Sequence, residues 1–298
     1  MTRVIVLLLY LAASLAGCAQ TQAVREEEAV NAILKLGGRV NRHEQLPGRP
    51  VYKVDLTASR ITDAGLKHLK ELKGLQEVHL GVTQITDAGL KELKELKGLQ
   101  EVDLGGTHQI TDAGLKELKE VKGLRELALN ETQMTDAGLK ELKELKGLQH
   151  LGLAGTRVTD GGLKDLKELK GLRGINLRET QITDAGLEHL KELKGLRILC
   201  LSRTKITDGG LSHLKELKGL QDLELRETQI TDAGLKELKE LKGLQRLDLA
   251  FTQITDSGVR DLKELKGLWT LRVGGTQITE AGLRELNDAL PKTVIVGP

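Results

Sequence analysis

From Leu75 onward the apolar positions of this chain return on a 24-residue cycle, and each cycle contains two different spacings. Val78 and Leu80 alternate with Glu77 and His79, the period-two pattern of a short strand with one buried face. Ile85 turns inward again. Thr86 and Asp87 follow, residue types that cap helix N-termini. Leu90, Leu93 and Leu96 then recur every three residues, one stripe of a short helix or 3₁₀ segment. Gly98 suits the left-handed position just past a helix end. Residues 75–98 (LQEVHLGVTQITDAGLKELKELKG) and 220–243 (LQDLELRETQITDAGLKELKELKG) are nearly the same string. Ten such units run through residues 51–292, with one extra residue near His108. Thr83 and its equivalents, from Thr107 to Thr276, are expected to bury their hydroxyls and to form a ladder of backbone hydrogen bonds along the stack.

One unit of this kind cannot bury its own apolar face, so the units must stack. The pattern therefore predicts an α/β solenoid, with parallel strands on one face and short helices on the other. Helices are wider than strands, so the sheet should take the inner curve. The ends need caps. Residues 26–50 are expected to form the N-terminal one. In it, Glu26 to Leu36 reads as a helix with acids in its first turn and Gly37-Gly38 as its stop, followed by a partial strand and turn up to Pro50. Pro291 ends the last helix. Residues 293–298 read as a closing strand that does not keep the 24-residue spacing.

The shared pattern LxxLxLxxTxITDxGLxxLxxLxG resembles leucine-rich repeats across about 240 residues. The ITDxGL portion is similar to the subclass found in F-box substrate receptors and in many bacterial repeat proteins. The resemblance implies a horseshoe with a parallel concave sheet, and a non-enzymatic protein-binding module. A receptor module like those of ubiquitin ligases is one form this could take, although no segment here reads as an F-box.

Composition and charge narrow the reading. Aromatic residues are 1% of 298, so a core built on Phe, Tyr and Trp is excluded. The 45 basic and 43 acidic residues nearly cancel to +2, and this balance gives no reason to expect nucleic acid. Near the N-terminus, Arg3 precedes an apolar run from Val4 to Ala16. That is too short to span a bilayer, which takes about 20 residues, and it fits a signal peptide over residues 1–17. Leu15-Ala16-Gly17-Cys18 resembles the bacterial lipobox. The resemblance implies lipidation of Cys18, a linker over residues 18–25, and a membrane-anchored protein facing the periplasm or cell surface. Cys200 would then have no disulfide partner in the chain.

The helical face repeats KELKELKG almost unchanged, alternating in sign, which is the pattern of a solvated surface. Its other reading is a lattice contact between copies, as in a self-assembling envelope spacer. The strand face varies from unit to unit, acidic and small in the N-terminal half. The C-terminal half carries the candidates for partner contact: Arg178, Arg203, Glu224, Arg226 and Arg246, then Asp248, Phe251, Trp269 and Arg272. Equivalent positions on neighbouring strands are about 4.8 Å apart, so these should form one patch, and Trp and Arg are frequent interface anchors. The expected partner is a protein or an envelope polymer, bound by a monomeric solenoid. Catalysis, metal and cofactor are not expected. His68, His189 and His213 share a helical slot too far apart to chelate. Cys200 has no histidine at the matching strand positions of its neighbours. Glu224 and Asp248 are better matched to Arg226 and Arg246 than to a paired-acid mechanism. No phosphate loop, nucleotide fingerprint or zinc spacing is present.

Overall fold

In the computed structural model, which describes residues 21–297, each cycle becomes one coil of a solenoid. The expected signal segment 1–17 and Cys18 lie outside the described residues. Twelve strands form one sheet in strict sequence order. β1 is Arg39–Arg42, β2 Val51–Asp55, β3 Glu77–His79 and β4 Glu101–Asp103. β5 is Glu126–Ala128, β6 His150–Gly152, β7 Gly174–Asn176 and β8 Ile198–Cys200. β9 is Asp222–Glu224, β10 Arg246–Asp248, β11 Thr270–Arg272 and β12 Val294–Val296. β1 pairs antiparallel with β2 and caps that edge, and every later pairing is parallel. Most of the helical segments opposite are α-helices of seven residues, such as Asp160–Leu166 and Asp184–Leu190. The first is a 3₁₀ helix, Asp63–Glu71.

The inward leucines, valines and isoleucines of successive coils meet in one continuous core, nearly all fully buried. Contact between neighbouring coils is thus what buries each apolar face, as a stacked repeat requires. Among the described residues no helix is long and apolar enough to cross a membrane.

Four details differ from the sequence reading. β12 keeps the spacing: Val294, Ile295 and Val296 register with Thr270, Leu271 and Arg272, 24 residues earlier. The helical turn before it is longer, Glu280–Ala289, which disguises the repeat. The N-terminal helix covers residues 21–35, so residues 21–25 of the expected linker are helical. Gln22 Nε2 donates to the carbonyl of Glu71 at 2.7 Å, docking that helix on the first coil. Gly98 and its equivalents do not adopt a left-handed φ. They sit instead where an added Cβ would press on the carbonyl oxygen of the leucine that opens the same unit, one turn of the solenoid back: Leu75 at 3.3 Å from Gly98 and Leu99 at 3.0 Å from Gly123.

The fourth difference concerns the threonines. The buried Thr83 donates to the Leu80 carbonyl of its own turn at 2.6 Å, and Thr132, Thr156, Thr180, Thr204, Thr228 and Thr252 repeat that local bond. Among the described residues only Thr107, beside the extra residue, donates across to Leu80 of the preceding coil. The ladder along the solenoid is built by the ITD motif instead. The Asp160 carboxylate accepts from Thr183 N at 2.8 Å and from Thr183 Oγ1 at 2.6 Å, one coil further on. Thr183 in turn accepts from Ala185 N and caps the next helix. The same staple runs from Asp63–Thr86 through Asp256–Thr279. It also explains the glycine of ITDxGL. A Cβ on Gly186 would lie 2.4 Å from Asp160 Oδ1, and the equivalent glycines from Gly89 to Gly282 meet the preceding aspartate in the same way.

Candidate functional site

The three-residue strands leave their first and third side chains on the outer face of the sheet and bury the second. Register places equivalent residues side by side across β2 to β12. What this face can do depends on which charges the fold already neutralises.

In the C-terminal half most are neutralised. Arg246 Nε donates to Asp222 Oδ2 at 2.7 Å, and Arg272 reaches Asp248 at 3.6 Å. The residue just before the buried threonine is left-handed in every coil: φ is 57° at Arg203 and Phe251, 58° at Glu179, 55° at Glu227. Arg203 and Phe251 therefore belong to this turn row, whereas Arg178 and Arg226 sit one residue earlier, so the four do not form a single column. A ridge of ion pairs links them. Arg178 meets Glu179, Arg203 bridges Glu179 and Glu227, and Arg226 meets Glu227. The Arg226 guanidinium also lies 4.4 Å above the centre of the Phe251 ring, a cation–π contact. Hydrogen bonds from Arg203 hold the Glu179 and Glu227 carboxyls below the usual carboxylate range and outweigh the opposing effect of partial burial.

The nine expected contact residues are thus not one patch. Phe251 is 53% exposed and follows β10, whereas Trp269 is 61% exposed and precedes β11, so they stand at opposite ends of the strands. Asp248 is only 8% exposed, covered in the floor of the sheet. Cys200 is also buried, and its thiol donates to Glu224 Oε2 at 2.9 Å. Burial first, and the Glu224 carboxylate second, push that thiol up to about 12, so it is a poor nucleophile near neutral pH.

The N-terminal half is different. Across β5 to β7 the outward positions include Ala128, Gly152 and Gly174, so the floor there is built from small residues. The result is a hollow of about 360 Å³. Asn130 leans over Gly152, whose missing Cβ would lie 2.9 Å from the Asn130 amide, and His150 leans over Gly174 in the same way at 2.7 Å. Ile198, 39% exposed, supplies an apolar wall. Glu101, Asp103, Glu126 and Glu224 line the hollow, and no lysine or arginine does. Glycines on a strand are easily read as weak packing. What they do here depends on their neighbours across the sheet, which the sequence alone does not locate.

A second grouping was also not foreseen. His68, His189 and His213 lie on the helical side, while a different histidine, His79, joins Glu77 and Glu101 on the sheet, with donor atoms within 4.8 Å of one another. Those donors are already engaged: His79 Nε2 bonds Glu101 at 2.8 Å and Lys53 pairs with Glu77 at 3.0 Å. A lysine ammonium here occupies the place a cation would take.

On the helical face, lysines of one coil pair with glutamates of the next: Lys94–Glu117, Lys146–Glu168, Lys170–Glu192 and Lys218–Glu240 lie between 3.2 and 3.7 Å. Part of the uniform charge is thus used in contacts between coils of the chain.

The chain matches the Leucine Rich repeat family over residues 99–119, 220–239 and 244–263. No curated protein matches it. Among solved structures it is similar to an internalin C2 from Listeria monocytogenes, at 25% identity over 72% of this chain and 90% of that one, with a TM-score of 0.55. It is also similar to a second Listeria monocytogenes internalin at 22% identity, over 85% of this chain and 91% of that one, with a TM-score of 0.48. With its 24-residue units, its single parallel sheet and its backing of short helices, the chain is a leucine-rich-repeat protein.

Proposed function

We propose that this protein is an exported, lipid-anchored recognition module that binds a partner protein on the outer face of its sheet and carries out no catalysis of its own. The observation that supports this most is the contrast between the two faces. The helical face repeats, and its charges pair from coil to coil within the chain. The sheet face changes at every coil and presents a hollow, a charged ridge and two exposed aromatic side chains. Selection for stacking alone acts on inward positions and staples, and gives no reason for the outward positions to diverge this way. The same pairing speaks against the lattice-spacer reading, because part of its Lys and Glu rows is already engaged within the chain. Large exposed apolar groups beside arginines are the usual composition of an interface centre, and Phe251 with Arg226 has that composition.

Photo-crosslinking tests the reading. A crosslinker placed at position 126 or 251, on the sheet side, is expected to capture one reproducible partner from cells. The same group at position 144, on the helical face, should capture none. Capture from position 144 alone would transfer the binding role to the helical face and defeat the proposal.

The anchor rests on the lipobox-like Leu15-Ala16-Gly17-Cys18. Only residues 19 and 20 separate Cys18 from the described helix, so a tether at Cys18 can reach at most about 10 Å from it. The N-terminal cap would then lie against the membrane. Multiple acyl chains give stable anchoring where one gives only marginal binding. Fatty-acid labelling of cells should mark the wild-type chain, and Cys18→Ala should abolish the label and release the protein from membranes. Equal labelling of both would show that the cysteine is not acylated.

A further inference from the structure

We propose that the hollow over β5 to β7 seats a lysine or arginine side chain, presented by an extended segment of the partner protein. This rests on the reading of the sheet face as a binding surface and gives that surface a charge preference.

The argument is one of charge and size. The chain as a whole carries 45 lysines and arginines and 43 acidic residues, so a cavity lined by four carboxylates and no lysine or arginine is a local departure. Along the strands nearest the N-terminus the imbalance continues, with Lys53 the one lysine or arginine among the outward residues of β2 to β5 against the acids Asp55, Glu77, Glu101, Asp103 and Glu126. Two carboxylates of the hollow have no cation within the described chain. Glu126 is exposed and makes no ion pair, and Asp103 accepts only the backbone N–H of Gly105. The C-terminal half offers the contrast, because each of its acids on the ridge has an arginine. Unpaired carboxylates gathered in a concavity set up a field that draws a cation in.

About 360 Å³ is near the lower end of the range for ligand pockets, roughly 300–1,000 Å³. It suits one or two side chains. A long basic side chain matches the lining in both its parts: its methylene stem against Ile198, its charged head among Glu101, Asp103 and Glu126. His150, leaning over Gly174, presents a further polar group in the lining. An extended peptide laid across the strands projects alternate side chains to one side about every 7 Å. One residue can therefore enter the hollow while its neighbours remain outside.

The test uses the full chain and a fluorescein-labelled hexapeptide of alternating alanine and lysine, with a glutamate counterpart, followed by fluorescence anisotropy. The lysine peptide is expected to bind saturably, more weakly as salt rises, and the glutamate peptide not to bind. Glu126→Lys should weaken the lysine peptide at least tenfold. Among the described residues the Glu126 side chain makes no hydrogen bond or ion pair, so this variant is expected to fold, and circular dichroism verifies it. Glu144→Lys makes the same charge change on the helical face and should leave binding unchanged. Absence of saturable binding, an unaltered affinity in Glu126→Lys, or an equal loss in Glu144→Lys overturns the inference. If crosslinking at position 126 or 251 still captures a partner in that event, the binding reading survives and the basic preference alone falls. If neither works, both fall.

Discussion

Replacing Gly186 with alanine should destabilise the solenoid by about 3 kcal/mol, whereas glycine to alanine in an ordinary helix interior gains about 1 kcal/mol. The reversal of sign comes from one distance. The new Cβ would stand 2.4 Å from Asp160 Oδ1 and 3.0 Å from Ile182 Cγ2, with close neighbours on both sides. Asp160 is the softer of the two, so its carboxylate is pushed from the staple and the half-buried Thr183 loses two charge-assisted hydrogen bonds. Bonds to a charged group are worth about 1.5–3 kcal/mol each, and the helix-propensity gain offsets part of the loss. Urea unfolding followed by circular dichroism measures the change, and amide exchange at Thr183 locates it. Gly195→Ala is the control. Its Cβ would have the Leu172 carbonyl oxygen at 3.5 Å, ordinary contact, and its cost should stay under about 1 kcal/mol. A Gly186→Ala variant as resistant to urea as the wild type would mean that the glycine does not serve the aspartate. The clash needs both residues, so Asp160→Ala with Gly186→Ala should cost less than the sum of the single changes.

How much of this was legible in the sequence depends on whether a residue answers to its own coil or to another. The inward leucines and the strand alternation are local periodicities, and they gave the solenoid, its parallel sheet and its helical backing. Asp160 was different. Adjacent to a threonine at a helix start, it has the composition of a cap, and nothing within its own unit shows that its partner lies 23 residues on. Gly98 reads as a helix-ending glycine for a similar reason, although the constraint on it is the carbonyl of Leu75, at the far end of its 24-residue unit and one turn of the solenoid back. The candidate site divides along the same line. Phe251 and Trp269 were identified as exposed aromatics, but only the left-handed turn at Phe251 and the strand boundaries reveal that they lie at opposite ends of the strands. The arginines were identified as anchors, and their partners one coil away, Glu179 and Glu227, make them a closed ridge. Ala128, Gly152 and Gly174 are legible as small residues, and they become a hollow only when three adjacent strands align them.

Removing the staple directly is the complementary test. Asp160→Ala should cost about 3 kcal/mol, because it leaves the Thr183 N–H and hydroxyl without their acceptors in a half-buried position. Asp160→Asn should cost about 1 kcal/mol, since an amide can still accept from Thr183 N through its oxygen while its nitrogen donates to the hydroxyl. Thr183→Val should fall between them, keeping the backbone bond and losing the hydroxyl. A solenoid coil touches only its neighbours, so weakening one interface in the middle also weakens the cooperation between the two halves. The urea transition of Asp160→Ala is therefore expected to broaden, with a smaller dependence on denaturant, while a comparable loss at the end of the stack should leave the slope almost unchanged. Asp256 provides that end. Its bonds from the Thr279 hydroxyl and amide hold its carboxyl below the usual range. A depressed folded-state value stabilises above the unfolded value of about 3.9 and is lost as pH falls through the folded one. Asp256→Asn should therefore lower stability at pH 7 and flatten the acid limb of the stability curve, without broadening the transition. An order of cost in which asparagine is as damaging as alanine at position 160, with no change of slope, would reduce the aspartate row to ordinary helix caps and leave leucine packing as the sole coupling between coils.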